Sequence, residues 1–189
     1  MYDDVELEPQ WFEDIHSLTL IKYPPKRKGI TPAYQFVIHF KNNNSWALRK
    51  ARDLVLEVLN YDDVEEFRRG YLVTIPGHEA GSINRPCEYL CAEMAKAYPR
   101  QLVHLRQALQ RTITVAKSAT AYYGQRPTYT DHFRSIRYAG PQLDSNERII
   151  MVDDVLTRGE TSRACRDILR KATGCTDVQG LFVARTTYQ

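Results

Sequence analysis

Residues 149–162 place two adjacent carboxylates beside a short loop rich in hydroxyl groups. Their sequence is Ile-Ile-Met-Val-Asp-Asp-Val-Leu-Thr-Arg-Gly-Glu-Thr-Ser. The apolar run 149–152 predicts a buried strand, and Asp153 and Asp154 follow it directly. Paired carboxylates repel an anion, but they accept hydrogen bonds from the vicinal hydroxyls of a sugar. We therefore expect this pair to bind a diol.

The loop that follows has the residue types of a phosphate-binding turn. Thr157, Gly159 and Thr161 stand at alternate positions, and a predicted helix over 161–172 begins at the end of the loop. The glycine lets the backbone approach a ligand, and free amides at a helix start attract phosphate. An anion site beside a diol acceptor would suit ribose 5-phosphate. The alternative is structural: a helix cap beside a solvated charge.

This segment resembles the PRPP-binding motif of type I phosphoribosyltransferases, which has a hydrophobic strand, two acidic residues, two apolar positions and Thr-x-Gly-x-Thr. The resemblance implies that Asp153 and Asp154 hold the ribose hydroxyls. It also implies a loop around the 5′-phosphate formed by Val155, Leu156, Thr157, Arg158, Gly159, Glu160 and Thr161. Arg158 stands where the family more often has a second threonine.

A second segment resembles the pyrophosphate loop of the same family. Residues 72–78 read Leu-Val-Thr-Ile-Pro-Gly-His, and Asn-Arg-Pro follows at 84–86 before a predicted helix. The pattern is most similar to the ComF-like branch. The resemblance implies pyrophosphate contacts from Pro76, Gly77, His78 and Arg85. Glu79 departs from the family, because members often carry a basic residue in this loop.

The chain is most basic between residues 98 and 137, where seven Lys or Arg residues accompany a single acid. Such a segment attracts an anionic partner, or it forms a solvated face. The family keeps its flexible catalytic loop here, so the resemblance implies that Arg111, Lys117 and Arg126 contact pyrophosphate. His104 and His132 are interpreted chiefly as structural. Mg²⁺ is the implied cofactor and would arrive with PRPP, with no protein ligand assigned.

The resemblance implies transfer of a phosphoribosyl group between PRPP and a nitrogenous acceptor, such as a nucleobase, with release of pyrophosphate. The alternative is a regulatory or defence-associated protein that binds PRPP or a nucleotide without turnover. Nucleic-acid association is possible in that case but has no direct support. Family members are often dimers, so the resemblance also implies a homo-oligomer.

The elements that position these residues predict an α/β fold with a parallel sheet flanked by helices. Strand 148–152, helix 161–172 and strand 177–184 form one parallel unit. A strand over 71–75 and a helix over 86–97 precede it. The other expected elements are a hairpin of strands 16–23 and 33–40, a helix over 46–59, a strand over 101–105 and a long loop with one possible hairpin over 110–146.

Length and composition favour one globular domain over residues 1–189. We divide it into a variable N-terminal extension, 1–69, which is β-rich and helical, and a PRPP-binding core, 70–187. The net charge of +3 is too small to indicate a nucleic-acid binder by itself. No apolar stretch reaches the roughly 20 residues of a membrane span, and the acidic N-terminus is unlike a signal peptide. Four cysteines without metal-site spacing are expected to be reduced thiols in the cytoplasm rather than metal ligands.

Overall fold

A six-stranded, mainly parallel sheet forms the centre of the protein. The computed structural model describes residues 5, 7–12, 17–23, 31–117 and 126–186. Its sheet has the order β1-β2-β8-β7-β3-β4, in which only the β1–β2 pair is antiparallel. The strands are β1 (Gln10–Phe12), β2 (Ser17–Tyr23), β3 (Gly70–Thr74), β4 (Leu102–His104), β7 (Ile149–Leu156) and β8 (Val178–Thr186). The predicted α/β class is confirmed.

Helices cover both faces of this sheet. They are α1 (Pro32–Lys41), α2 (Ser45–Val58), α3 (Arg85–Ala97), α4 (Tyr129–Ser135) and α5 (Glu160–Thr173), with a 3-10 helix over Asp62–Arg68. One core cluster joins α1, α2 and α3 to the sheet, and a second joins α5 to the opposite face. Along β7, Ile150 and Val152 belong to the first cluster and Ile149 and Met151 to the second, as strand alternation requires.

The chain leaves neighbouring strands β3 and β7 toward opposite faces. The helix after β3 is α3, which packs in the first cluster, whereas the helix after β7 is α5, which packs in the second. Open α/β sheets bind ligands in the crevice outside the carboxyl ends of such strands. The crevice therefore lies between the two segments that the sequence singles out.

The expectation of a strand over 33–40 is wrong, because this segment is helix α1. Pro32 occupies its first turn, and the Thr31 hydroxyl accepts a hydrogen bond from the Tyr34 N–H. The buried positions Phe36, Val37 and Phe40 lie on one helical face. The alternation of apolar residues that suggests a strand is thus overridden by a capped start and a helical core face.

The described parts of the expected long loop, residues 110–117 and 126–146, contain regular elements. Strand β5 (Leu109–Arg111) pairs antiparallel with β6 (Ile136–Tyr138), but residues 112–135 separate the two strands, so they do not form the expected hairpin. Helix α4 precedes β6 and is the unexpected element. Its start carries a capping box, in which Thr128 and Asp131 bond to each other's backbone N–H groups.

The predicted N-terminal extension shares the sheet with the predicted core. Strand β2 runs parallel beside β8, with Ser17 opposite Gly180. A side chain at Gly180 would place its Cβ 2.7 Å from the Ser17 Oγ atom and 2.5 Å from the Phe182 ring, so the close strand approach needs glycine there. The division at residue 69 remains a prediction.

Candidate functional site

The two predicted ligand loops meet at the crevice through one asparagine side chain. The Asn84 amide donates hydrogen bonds to the Ile75 carbonyl and to Asp153 Oδ1, each at 3.1 Å. Asn84 lies at the start of α3, where asparagine often caps the helix, but its side chain forms no cap hydrogen bond there. It instead ties the segment after β3 to the acidic pair of β7.

Strand β7 extends through both aspartates to Leu156, so the expectation that they lie beyond the strand is wrong. Because side chains alternate along a strand, Asp153 and Asp154 point to opposite faces of the sheet. Asp153 Oδ1 also accepts from the Asp154 N–H at 2.8 Å, and Asp154 lies 3.4 Å from the Lys41 ammonium group of α1. Lys41 has no signal in the local motif.

The two aspartates differ in their electrostatic environment. Burial, and then the neighbouring charge of Asp154, raise the pKa of Asp153 well above its usual range. The Lys41 ammonium and the Asn84 hydrogen bond act in the opposite direction. The site thus pairs a carboxyl group that holds a proton readily with Asp154, whose side chain is 23% exposed.

The loop after β7 turns into α5 at Gly159. This residue has φ +76°, a left-handed conformation that favours glycine, and it is the N-cap of the helix. No described side chain caps α5, so its first amides are available to an anion. Thr157 and Arg158 are exposed beside it, whereas Val155 and Leu156 belong to the strand. Glu160 pairs with Arg163 at 2.7 Å.

The sequence interpretation expected Arg111 in a flexible loop, and this is wrong: Arg111 lies in strand β5. Only 2% of the residue is exposed, and its side chain reaches Gly77 and helix α4. Its guanidinium donates to the Gly77 carbonyl, to Ser135 Oγ at 2.6 Å and to His132 Nδ1 at 3.3 Å. Burial lowers the pKa of Arg111.

His132 joins this arginine to Thr161 of the predicted phosphate loop, and the sequence interpretation gave His132 no ligand-related role. Its Nε2 atom lies 3.1 Å from Thr161 Oγ1, and the residue is 4% exposed. Burial, followed by the charge of Arg111, lowers the pKa of His132 from 6.5 to about 4, so the ring is neutral at pH 7. The sequence carried one signal for helix α4, which contains His132: the capping box formed by Thr128 and Asp131.

The predicted pyrophosphate loop is hydrogen-bonded to the end of β5 and to the irregular segment that follows it. The Gly81 N–H donates to the Arg111 carbonyl at 2.9 Å, and the Val115 N–H donates to the His78 carbonyl at 2.9 Å. The His78 ring is 37% exposed and lies 3.6 Å from the carboxylate of Glu79. Pro76 is buried at the end of β3.

The remaining predicted pyrophosphate contacts lie apart from these bonds. Arg85 is exposed in the first turn of α3. Lys117 is exposed and Arg126 is half-buried, and they border residues 118–125, which lie outside the described part of the chain. Their contacts with pyrophosphate remain predictions.

A cavity of about 410 Å³ lies beside the predicted pyrophosphate loop. It is lined by Pro76 and residues 80–84 of that loop and by Arg111, together with Thr74, Glu88, Gln107 and Arg137, and by none of residues 153–161. Glu88 accepts hydrogen bonds from the Thr74 hydroxyl and the Gln107 N–H, and it faces His104 at 3.1 Å. The cavity therefore belongs to the predicted pyrophosphate region and adjoins residues 153–161 through Asn84.

The described residues hold no cluster of three or more His, Cys, Asp or Glu side chains able to bind a metal. Mg²⁺ in substrate sites commonly uses one or two carboxylates together with substrate phosphates. Asp153 and Asp154 fit that partial role only. All four cysteines are buried free thiols, as expected. None of the described helices has the length and apolar character to cross a membrane.

Comparison with known proteins gives only distant structural likenesses. No protein-family model matches the chain, and no curated protein matches it. A purine phosphoribosyltransferase from Pyrococcus horikoshii aligns at a TM-score of 0.39 and 13% identity, covering 74% of this chain and 83% of its own. The adenine phosphoribosyltransferase from Leishmania tarentolae aligns at 0.42 and 10%, covering 94% of each. At these values neither likeness indicates what this chain binds.

Proposed function

We propose that the protein binds PRPP at the β3–β7 crevice and transfers its phosphoribosyl group to a nitrogenous acceptor, as a type I phosphoribosyltransferase. The ribose hydroxyls would bond to Asp153 and Asp154. The 5′-phosphate would bind the turn that begins α5. The resemblance to the ComF-like branch, the acceptor and a homo-oligomeric state remain predictions.

The observation that carries this proposal is the contact between Asn84 and Asp153. Residues 76–85 and 153–161 resemble two parts of one family site, although 69 positions separate Asn84 from Asp153 in the sequence. A chance match of either motif would not require them to meet. The 3.1 Å hydrogen bond joins them at the edge where an α/β sheet binds ligands.

In the proposed reaction, the bond between C1 of the ribose and pyrophosphate breaks, and an acceptor nitrogen forms the new bond to C1. The α5 amides and the Thr161 hydroxyl fix the phosphate end of the sugar, and the two aspartates fix its hydroxyls. Holding both ends orients C1 toward the acceptor, which is the entropic part of catalysis. The backbone of residues 76–81 would face the departing pyrophosphate.

Mg²⁺ bound with PRPP would neutralise part of the negative charge that develops on pyrophosphate. Asp154 is the better candidate to assist, because its carboxylate is partly exposed and the proton affinity of Asp153 is raised. Lys41 would then release Asp154 or share it with the ligand.

A second candidate function, binding without turnover, is favoured by the chemistry of the pyrophosphate loop. Glu79 places an exposed carboxylate there, with its side chain 66% accessible. Arg111, an expected pyrophosphate contact, spends its donors on Gly77, Ser135 and His132. Both features reduce the positive charge available to a leaving group.

Two measurements test the proposal and separate the two functions. Calorimetric titration with PRPP and Mg²⁺ should give saturable binding that weakens at least tenfold in Asp154→Asn, because hydrogen bonds to charged groups contribute about 1.5–3 kcal/mol. Release of pyrophosphate with a panel of nucleobases would identify an enzyme. Binding without release would support the second candidate, and absence of binding would refute both.

A further inference from the structure

Four groups, of which the central two are buried, form a continuous chain of contacts between the two predicted ligand loops. From the Gly77 carbonyl, the chain passes through the Arg111 guanidinium and the His132 ring to the Thr161 hydroxyl. Arg111 and His132 are 2% and 4% exposed, respectively. The central contact between Arg111 and His132 is therefore shielded from water, whereas the contacts at its two ends are partly buried.

The chemistry of the donors fixes the proton on the His132 ring. A guanidinium only donates hydrogen bonds, so the Nδ1 atom that faces Arg111 must accept and carries no proton. The single proton of the neutral ring then resides on Nε2. This N–H points at Thr161 Oγ1 from 3.1 Å, so the threonine oxygen accepts.

The direction of that bond determines what Thr161 can do. Its oxygen accepts from His132, which leaves the hydroxyl hydrogen to be donated elsewhere. Thr161 lies in the first turn of α5, directly after the Gly159 turn. A donor at this place faces the same region as the free helix amides, where a phosphate oxygen would bind.

We propose that His132 is a positioning residue that holds the Thr161 hydroxyl as a donor to the phosphate group of a 5-phosphorylated ribose. Arg111 acts one step further away by keeping His132 in the Nε2–H form. This role rests on the proposed function, since it requires a phosphate at the start of α5. It assigns a task to helix α4, which carries His132 against α5.

A purely structural role for His132 gives different expectations. Loss of a buried hydrogen-bonded ring would then lower stability without a specific effect on ligand affinity. His104 offers the matched control, because its ring is also buried, at 9% exposure, and faces a partner at 3.1 Å. Its partner is Glu88 of α3, which is not one of the four groups in the chain of contacts.

The test is titration of the full chain with ribose 5-phosphate for the variants His132→Phe, His132→Gln, Thr161→Val and the double variant His132→Phe/Thr161→Val. We expect about tenfold weaker binding for His132→Phe and for Thr161→Val. The double variant should lose little more, because the first change misorients the Thr161 hydroxyl and the second removes it. His132→Gln retains an acceptor and a donor and should stay within about threefold of the natural protein. His104→Phe should lower the unfolding temperature and leave affinity unchanged.

The outcomes separate this proposal from the function on which it rests. Unchanged affinity in folded His132→Phe, or losses that add fully in the double variant, would overturn the positioning role while ribose 5-phosphate binding by the natural protein stands. A natural protein that binds neither ribose 5-phosphate nor PRPP would overturn the proposed function and this role with it. If His132→Phe fails to fold, His132→Leu takes its place as single and double variant: losses that do not add with Thr161→Val support the positioning role, and losses that add fully overturn it.

Discussion

At the scale of single residues, the surroundings of the site shift the pKa values of its groups in different directions. Asp153 is a carboxyl group with a raised pKa, and its neighbour Asp154 is partly exposed beside Lys41. His132 is held neutral next to a buried guanidinium. These residues therefore differ in what they can do toward a ligand, although the sequence shows only two identical aspartates and a histidine interpreted chiefly as structural.

Replacement of Asp153 by Asn should have little effect on stability. The amide resembles the protonated acid in shape, and its oxygen can still accept from the Asp154 N–H. The Asp153→Ala variant removes that acceptor and should cost about 1–3 kcal/mol, since it leaves the partners of a half-buried group unpaired. Chemical denaturation of both variants at pH 7 measures the difference. An Asn variant as unstable as the Ala variant would contradict the expectation that a neutral group is tolerated at this position.

The low pKa of His132 predicts a pH-dependent stability. The unfolded chain binds a proton near pH 6.5 and the folded protein only near pH 4, so the free energy of unfolding falls as the pH falls through this window. Above pH 6.5 the contribution is fully present. Arg111 opposes protonation, whereas Asp131 and Glu160 favour it.

The measurement is denaturant unfolding of the natural protein and of His132→Gln between pH 7 and pH 4. The variant has no titrating ring, so the difference between the two curves isolates this residue. We expect the natural protein to lose stability relative to His132→Gln by on the order of 2 kcal/mol over the window. Parallel curves would show that the ring does not stay neutral in the folded state.

At the scale of elements, helix α5 supplies the phosphate end of the site, and it is bounded by two glycines. Gly159 has φ +76° at its start and Gly174 has φ +80° at its end. Alanine at either position is strained by about 1 kcal/mol because of the left-handed backbone. At Gly174 the added Cβ would be 3.7 Å from Ser145, an ordinary contact, so only the strain matters.

Gly159→Ala and Gly174→Ala therefore form a matched pair. Both should lower stability by a similar amount, but only Gly159→Ala should weaken binding of ribose 5-phosphate, by tenfold or more, because it displaces the first amides of α5. Arg158→Ala should change affinity by less than about threefold, since the exposed side chain is not part of the backbone site. Titration of the three variants checks this order. A larger loss for Arg158→Ala would indicate a merely basic surface.

Local signals predicted most of these elements and failed at identifiable places. The cap at Asn44, the prolines and glycines at helix ends and the apolar strands gave α2, α3, β3, β7, α5 and β8 within a few residues. The segment that became α1 failed because its apolar residues fit both a strand and a helix. Only packing of Phe36 and Phe40 in the core decides between them.

The candidate site was predictable where its residues lie close in sequence. Spacing alone located Thr157, Gly159 and Thr161. It could not locate Lys41 or the chain from Arg111 through His132 to Thr161, because these contacts join residues far apart along the chain. It also placed Arg111 on a mobile loop, since a basic residue in a polar segment carries no local sign of burial.

At the scale of the whole molecule, the N-terminal third is part of the core that supports the site. Strand β2 pairs with β8 along most of its length, and α1 and α2 pack over β7 and β8. Lys41 reaches Asp154 from the end of α1. The segment before residue 70 thus shapes the site as well as the sheet.

This arrangement predicts that residues 70–189 do not fold alone. Their removal from the rest of the chain would expose Leu181, Val183 and Val152, which pack in one cluster with Phe36 and Phe40. Exposure of this apolar surface removes hydrophobic free energy from a fold whose net stability is expected to be small. In the full chain, Phe40→Ala should cost about 3–5 kcal/mol and shift a single unfolding transition, because one core serves both parts. Calorimetry of the fragment and of the variant measures both effects. A fragment that unfolds cooperatively, or a Phe40→Ala variant whose transition splits in two, would show instead that the first 69 residues are an independent addition.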